Sequence, residues 1–135
     1  MRKLLVLGAL ALAGCLDGEL GDDGGVGPPP DLETLSMYVF SPACAFGPCH
    51  TDRAAAGGLS LEGPAAAVRA ALVDRPAEGP MDRVLVIPGQ PNGSYLLEKL
   101  TEDAPEAGTR MPQGGGRLPA EQVAQIRRWI AAGAP

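Results

Sequence analysis

Cys44-Ala45-Phe46-Gly47-Pro48-Cys49-His50 is the stretch on which the fold turns. Two thiols sit five positions apart, and the only histidine of the 135-residue chain follows the second. A thiol bonds to a second thiol, to carbon or to a metal, and imidazole is the commonest protein ligand of a metal ion. Either the two sulfurs close a small ring, or they and the imidazole together hold a prosthetic group.

The N-terminus decides which environment the thiols meet. Arg2 and Lys3 form a short basic region, and residues 4–12 are an apolar run too short to span a bilayer as a helix. Leu12-Ala13-Gly14-Cys15 follows, and it resembles the lipobox of bacterial lipoproteins. The resemblance implies a signal peptide over residues 1–14, cleavage before Cys15, and lipidation of Cys15. An ordinary secretory leader with an incidental cysteine is the alternative. Several acyl chains anchor a protein firmly, whereas one binds only marginally. Leu16, where an aspartate would stand for inner-membrane retention, points to the outer membrane. The expected location is therefore the cell envelope, lipid-anchored and facing the periplasm or the cell surface. With Cys15 lipidated, Cys44 and Cys49 remain as a pair in an oxidising compartment.

Residues 15–30 read as a tether. Gly18, Gly21, Gly24, Gly25 and Gly27 alternate with acidic residues, and Pro28-Pro29-Pro30 closes the run. Such composition gives a flexible and then a stiffer spacer that buries nothing. One small domain remains, residues 31–135, without internal repeats. The whole chain carries a net charge of −5; without Arg2 and Lys3 nine basic residues face 16 acidic ones, giving −7. That charge argues against nucleic acid as a partner and favours a basic partner surface.

The core of this domain is thin. The 45% hydrophobic content is inflated by alanine, and the large side chains include only two Phe, two Tyr and one Trp. Small domains short of large side chains are often completed by a staple or a cofactor. The apolar spacing gives several short helices. Asp31 caps a first helix with Leu32, Leu35, Val39 and Phe40 on one side, Met37 also reading as core, and Pro42 ending it. Pro64 suits the first turn of a second helix, with Val68 and Leu72 one turn apart. Residues 84–87 are a short apolar run stopped by Pro88-Gly89, either a strand or an extended segment. Asn92 caps a third helix over residues 94–100, with Tyr95, Leu96 and Leu100 inward. The last helix is the clearest. Pro119 opens it, Glu121 lies in its first turn, and Val123, Ile126, Trp129 and Ile130 make its apolar face. Arg127 and Arg128 lie late, where cations are favoured, and Gly133 stops it.

Between the last two helices lies Thr109-Arg110-Met111-Pro112-Gln113-Gly114-Gly115-Gly116. Its thioether sits in a Gly/Pro-rich loop just before an amphipathic helix, where the backbone can approach a flat ligand closely. If the Cys44–His50 stretch holds a haem, as two cysteines followed by a histidine do in c-type attachment, Met111 is the candidate for its distal ligand, and histidine-plus-methionine ligation raises the potential of haem iron.

From about Tyr38 to Pro135 the chain resembles a small single-haem c-type cytochrome domain, of the planctomycete type found in exported bacterial lipoproteins. The residues that carry the likeness are Phe40-Ser41-Pro42-Ala43-Cys44 with Gly47-Pro48-Cys49-His50, then Gly57-Gly58-Leu59-Ser60-Leu61 and Val86-Ile87-Pro88-Gly89. Pro91-Asn92-Gly93-Ser94-Tyr95-Leu96, Arg110-Met111-Pro112 and Ile126-Arg127-Arg128-Trp129-Ile130 complete it. The one departure is the spacer, four residues between the cysteines rather than the usual two. The resemblance implies an all-α, cytochrome c-like fold of about four short helices around one haem, with long irregular loops. It implies covalent haem c on Cys44 and Cys49, iron held by His50 and Met111, and electron transfer to a redox partner protein of the envelope.

Two other readings stand beside this one. The first is a haem-free envelope lipoprotein, closed by a Cys44–Cys49 disulfide and acting as a protein-binding module. The second places a copper ion among Cys44, Cys49, His50 and Met111, a soft ligand set. No enzyme is expected. The single histidine is committed, no phosphate-binding glycine loop follows a strand, and no pair of acids stands out as a dyad. Arg110, next to Met111, is the cation placed to meet a haem propionate.

Overall fold

Asp31 starts the first helix. Its backbone is extended, and its carboxylate accepts the Thr34 N–H at 2.7 Å. That bond covers one of the donors a helix start leaves orphaned, and it holds the carboxyl below the ordinary carboxylate range. In the computed structural model, residues 29–135 are described; the leader, Cys15 and nearly all of the tether lie outside the described residues.

Helix α1 runs through Leu32–Leu35, a π-helical stretch at Ser36–Phe40, and Ser41–Ala43 without leaving the right-handed helical backbone. Leu32, Leu35, Val39 and Phe40 are all buried, as the spacing predicts. In a uniform α-helix Phe40 would rotate away from that stripe, at about 100° per residue. The wider π turn delays the rotation and returns Phe40 to the core side. Met37 is a correction: it is 58% exposed, not core. It follows Leu32 by five residues, about 140° around the helix, so it faces outward. Pro42 is a second correction, because α1 continues past it to Ala43. The proline follows directly on the π-helical stretch, where the helix has already left the regular i→i−4 pattern that its missing N–H would otherwise break.

Helix α2 spans Ala65–Leu72, with Pro64 immediately before it in an extended conformation rather than inside the first turn. Val68 and Leu72 are fully buried. The run over residues 84–87 is extended but forms no strand. Val73 pairs with Val86 in parallel and Pro76 with Val84 antiparallel, each as an isolated bridge. Between the two pairings Asp74 takes a left-handed backbone (φ 55°), and Pro76 brings no N–H, so no ladder can extend.

Helix α3 spans Tyr95–Thr101 and follows Ser94, not Asn92. Asn92 belongs to a 3₁₀ turn at Pro91–Gly93, and its side chain accepts from Arg127 at 2.6 Å. Ser94 is buried; its hydroxyl accepts the Ile87 N–H and donates to the Gln90 carbonyl, both at 2.9 Å. Tyr95, Leu96, Leu97 and Leu100 all point inward. Helix α4 spans Ala120–Ala131 after Pro119, with Glu121 in its first turn and Gly133 (φ 95°) past its end.

α1 packs on α2 and α4, and α3 packs on α4. Trp129 is the largest fully buried side chain, and its indole N–H donates to the Pro135 carbonyl at 3.2 Å. The described residues thus form an all-α domain of four helices without strands, joined by long irregular segments.

Candidate functional site

The end of α1 delivers the first thiol. The Phe40 carbonyl accepts from both Cys44 and Ala45 at 2.8 Å, which closes the helix at the start of the motif. A tight loop follows, in which Cys49 N–H donates to Phe46 O at 3.0 Å and His50 N–H to Cys44 O at 3.1 Å. The last bond ties the histidine back to the first cysteine. Gly47, at φ 52°, makes the turn with nothing near the position of a Cβ. Both thiols are free and half-buried. Burial first, and then the neighbouring Cys49, pushes the Cys44 thiol up to about 11.

His50 is clamped twice by the next segment. Its carbonyl accepts the Leu61 N–H at 2.9 Å, and its Nδ1 lies 3.1 Å from the Leu59 carbonyl. A carbonyl only accepts, so in the neutral ring Nδ1 carries the proton and donates it. Nε2 is left with a free lone pair. This is how metal-binding histidines are usually oriented, with the non-ligating nitrogen donating to a backbone carbonyl. Gly57 and Gly58 make the clamp possible, since two successive left-handed residues (φ 62° and 65°) turn the chain back past His50.

Met111 is half-buried and packs against the same hydrophobic core as Cys44, Ala45 and Leu59. Its loop is strapped to α3. Met111 N–H donates to Lys99 O at 2.7 Å, and the Lys99 amine donates to the carbonyls of Ala107 at 3.0 Å and Thr109 at 2.5 Å. Tyr95 hydroxyl donates to Ala107 O at 3.0 Å, and Glu98 accepts the Glu106 N–H at 2.7 Å. Arg83 pairs with both Glu98 and Glu106 and lies 5.2 Å from the Tyr95 ring centroid. The Glu106 backbone N–H, and then Arg83, hold the Glu98 carboxyl below the usual range against the opposing effect of burial. Burial also lowers the Lys99 amine. Arg110 is engaged by Asp103 at 3.4 Å, which already meets Arg117.

Sequence reasoning named Cys44, Cys49, His50 and Met111 but missed Leu59 and Lys99. Leu59 acts through its main chain, which has no side-chain signature, and Gly57-Gly58 was the one available signal. The described groove of about 330 Å³, with Asn92, Ser94, Leu97, Glu98 and Arg127 among its walls, includes none of the four candidates. That groove holds no thiol, imidazole or thioether. Among the described residues no three His, Cys, Asp or Glu side chains converge as they would around a bare metal ion. Comparison with family models, with curated proteins and with solved structures returned no match.

Proposed function

We propose that this chain is a lipid-anchored electron-transfer protein whose domain over residues 31–135 has a cytochrome c-like fold carrying one covalently bound haem c. The observation that carries the reading is the His50–Leu59 bond, which leaves Nε2 of the only histidine free beside two unbonded thiols. Cys44 and Cys49 would hold the vinyl side chains as thioethers, His50 would be the proximal ligand and Met111 the distal one. Cys44, Ala45, Leu59, Leu85, Met111 and Val123 are partly buried and pack against the core.

Bound haem supplies one-electron chemistry at its iron, tuned by the axial ligands. The chain's own work is to orient and shield. The Leu59 carbonyl fixes the imidazole tautomer, and the α3-strapped loop would present the thioether. With both axial positions taken by protein, electron transfer rather than catalysis is the expected activity. The acidic surface suits a basic redox partner in the envelope, and lipid on Cys15 would hold the protein at the membrane, the outer one by the residue at position 16.

The test is the absorption spectrum and intact mass of protein exported with haem-attachment machinery. A reduced c-type band that survives acid–acetone extraction, with one porphyrin added to the mass, is expected, and His50→Ala should abolish haem incorporation. A colourless protein of unmodified mass, lacking free thiols, would sink this reading and establish the disulfide-closed module instead.

A further inference from the structure

We propose that Lys99 is the positioning residue for Met111, its carbonyl and its amine together fixing the loop over residues 107–111 so that the thioether is presented in one place; this rests on the haem reading above. α3 ends at Thr101, so the carbonyl of Lys99 has no partner within the helix and is available to the loop. It takes the Met111 N–H at 2.7 Å. The amine of the same residue returns over the loop and donates to the carbonyls at 107 and 109. Those two carbonyls face one amine because Gly108 between them is left-handed, at φ 68°. A Cβ at Gly108 would lie 3.3 Å from Lys99 Nζ, so the amine fills the concave side of this turn. Tyr95 and Glu98 hold the loop further back, at residues 106 and 107. Among these α3 side chains, Lys99 alone reaches Thr109, two residues before Met111.

An exposed lysine would spread its three donors into water or onto a carboxylate. This one spends two on main-chain carbonyls and is partly desolvated by doing so. Its removal leaves the Thr109 carbonyl unpaired and the Ala107 carbonyl with the Tyr95 hydroxyl alone, so the segment leading to Met111 is free to swing. A ligand that competes with the thioether then meets a loop that is open more of the time, and its apparent affinity rises in proportion to that open fraction.

The experiment uses haem-loaded protein and compares wild type with Lys99→Met, Lys99→Arg and Met111→Ala. In Lys99→Met, imidazole should bind about ten-fold more tightly, the scale expected for losing charge-assisted hydrogen bonds. The reduction potential should move part of the way towards that of Met111→Ala, and Lys99→Arg should restore much of both. Wild-type imidazole affinity and potential in Lys99→Met would overturn the proposal while leaving haem binding intact. If Met111→Ala itself changes neither spectrum nor potential, the distal-ligand assignment fails and takes the proposal with it. A wild type that carries no haem overturns the haem reading instead. Amide exchange supplies a readout independent of the iron. The Met111 N–H should be protected in wild type and exchange about ten-fold faster in Lys99→Met, with the amides of Leu96 and Leu97 unchanged. Should Lys99→Met not fold, wild type decides: a Met111 amide as fast as that of Gln113 overturns the proposal.

Discussion

An imidazole has two nitrogens, and a carbonyl facing one of them decides which is free for other work. At His50 that carbonyl belongs to Leu59, so the free lone pair is on Nε2. Cys44 and Cys49 were legible as residue types, as were His50 and Met111, because thiol, imidazole and thioether are the donors that the proposed haem would use. The acidity of Cys44 was not legible, since it depends on how deeply α1 places the thiol against the core. With that thiol near 11, only about one molecule in a thousand is thiolate at about pH 8. In haem-free protein Cys44 should therefore be alkylated by iodoacetamide on the order of a hundred-fold more slowly than an ordinary exposed thiol, and urea should bring its rate up to that of such a thiol. Mass-mapped alkylation over time checks this, and fast native labelling of Cys44 would mean the thiol is not buried as described.

α3 acts less as a wall of the core than as a mount. Its inner face, Tyr95, Leu96, Leu97 and Leu100, packs inward, while Glu98, Lys99 and the Tyr95 hydroxyl grip the loop that bears Met111. The inner face was readable from periodicity; the grip was not, because it joins residues separated by eight to twelve positions through main-chain atoms. The sign of its pH dependence follows from Glu98. The carboxyl sits below its ordinary value of 4.5 in the folded chain, so its contribution is present above that value and is lost as pH falls through the lower folded one. Glu98→Gln should accordingly be less stable than wild type at neutral pH, and the gap should close in acid. Urea melts at the two pH values measure it; a gap that widens in acid would contradict the assignment. The start of α3 shows the same limit, since Asn92 and Ser94 are both good caps by type. Only the turn at Pro91–Gly93 draws Asn92 to Arg127 and leaves Ser94 before the helix.

At the scale of the molecule, α1, α2, α3 and α4 meet around a few large side chains, and Trp129 is the central one. Truncating a fully buried Trp removes its transfer energy and leaves a cavity, at a cost of about 3–5 kcal/mol. A small domain has little more than that to lose. Trp129→Ala should therefore be largely unfolded without haem, as circular dichroism and urea titration would show. A folded, cooperative Trp129→Ala protein would mean that the core is held chiefly elsewhere.

Local chemistry by itself determined a good deal: the Asp31 cap, most of the inward faces of the four helices, the stop at Gly133, and the four donors proposed to hold a haem. Each of these depends on neighbours within a turn or so of helix, where periodicity and residue type act directly. Tertiary structure alone decided that α1 would widen into a π turn and bring Phe40 to the core side. It decided too that residues 84–87 would form isolated bridges rather than a strand, that Leu59 would meet His50, and that Lys99 would hold the approach to Met111. These are meetings of segments distant along the chain, many through main-chain carbonyls and amides, which every residue carries and which only the packed fold sets in order.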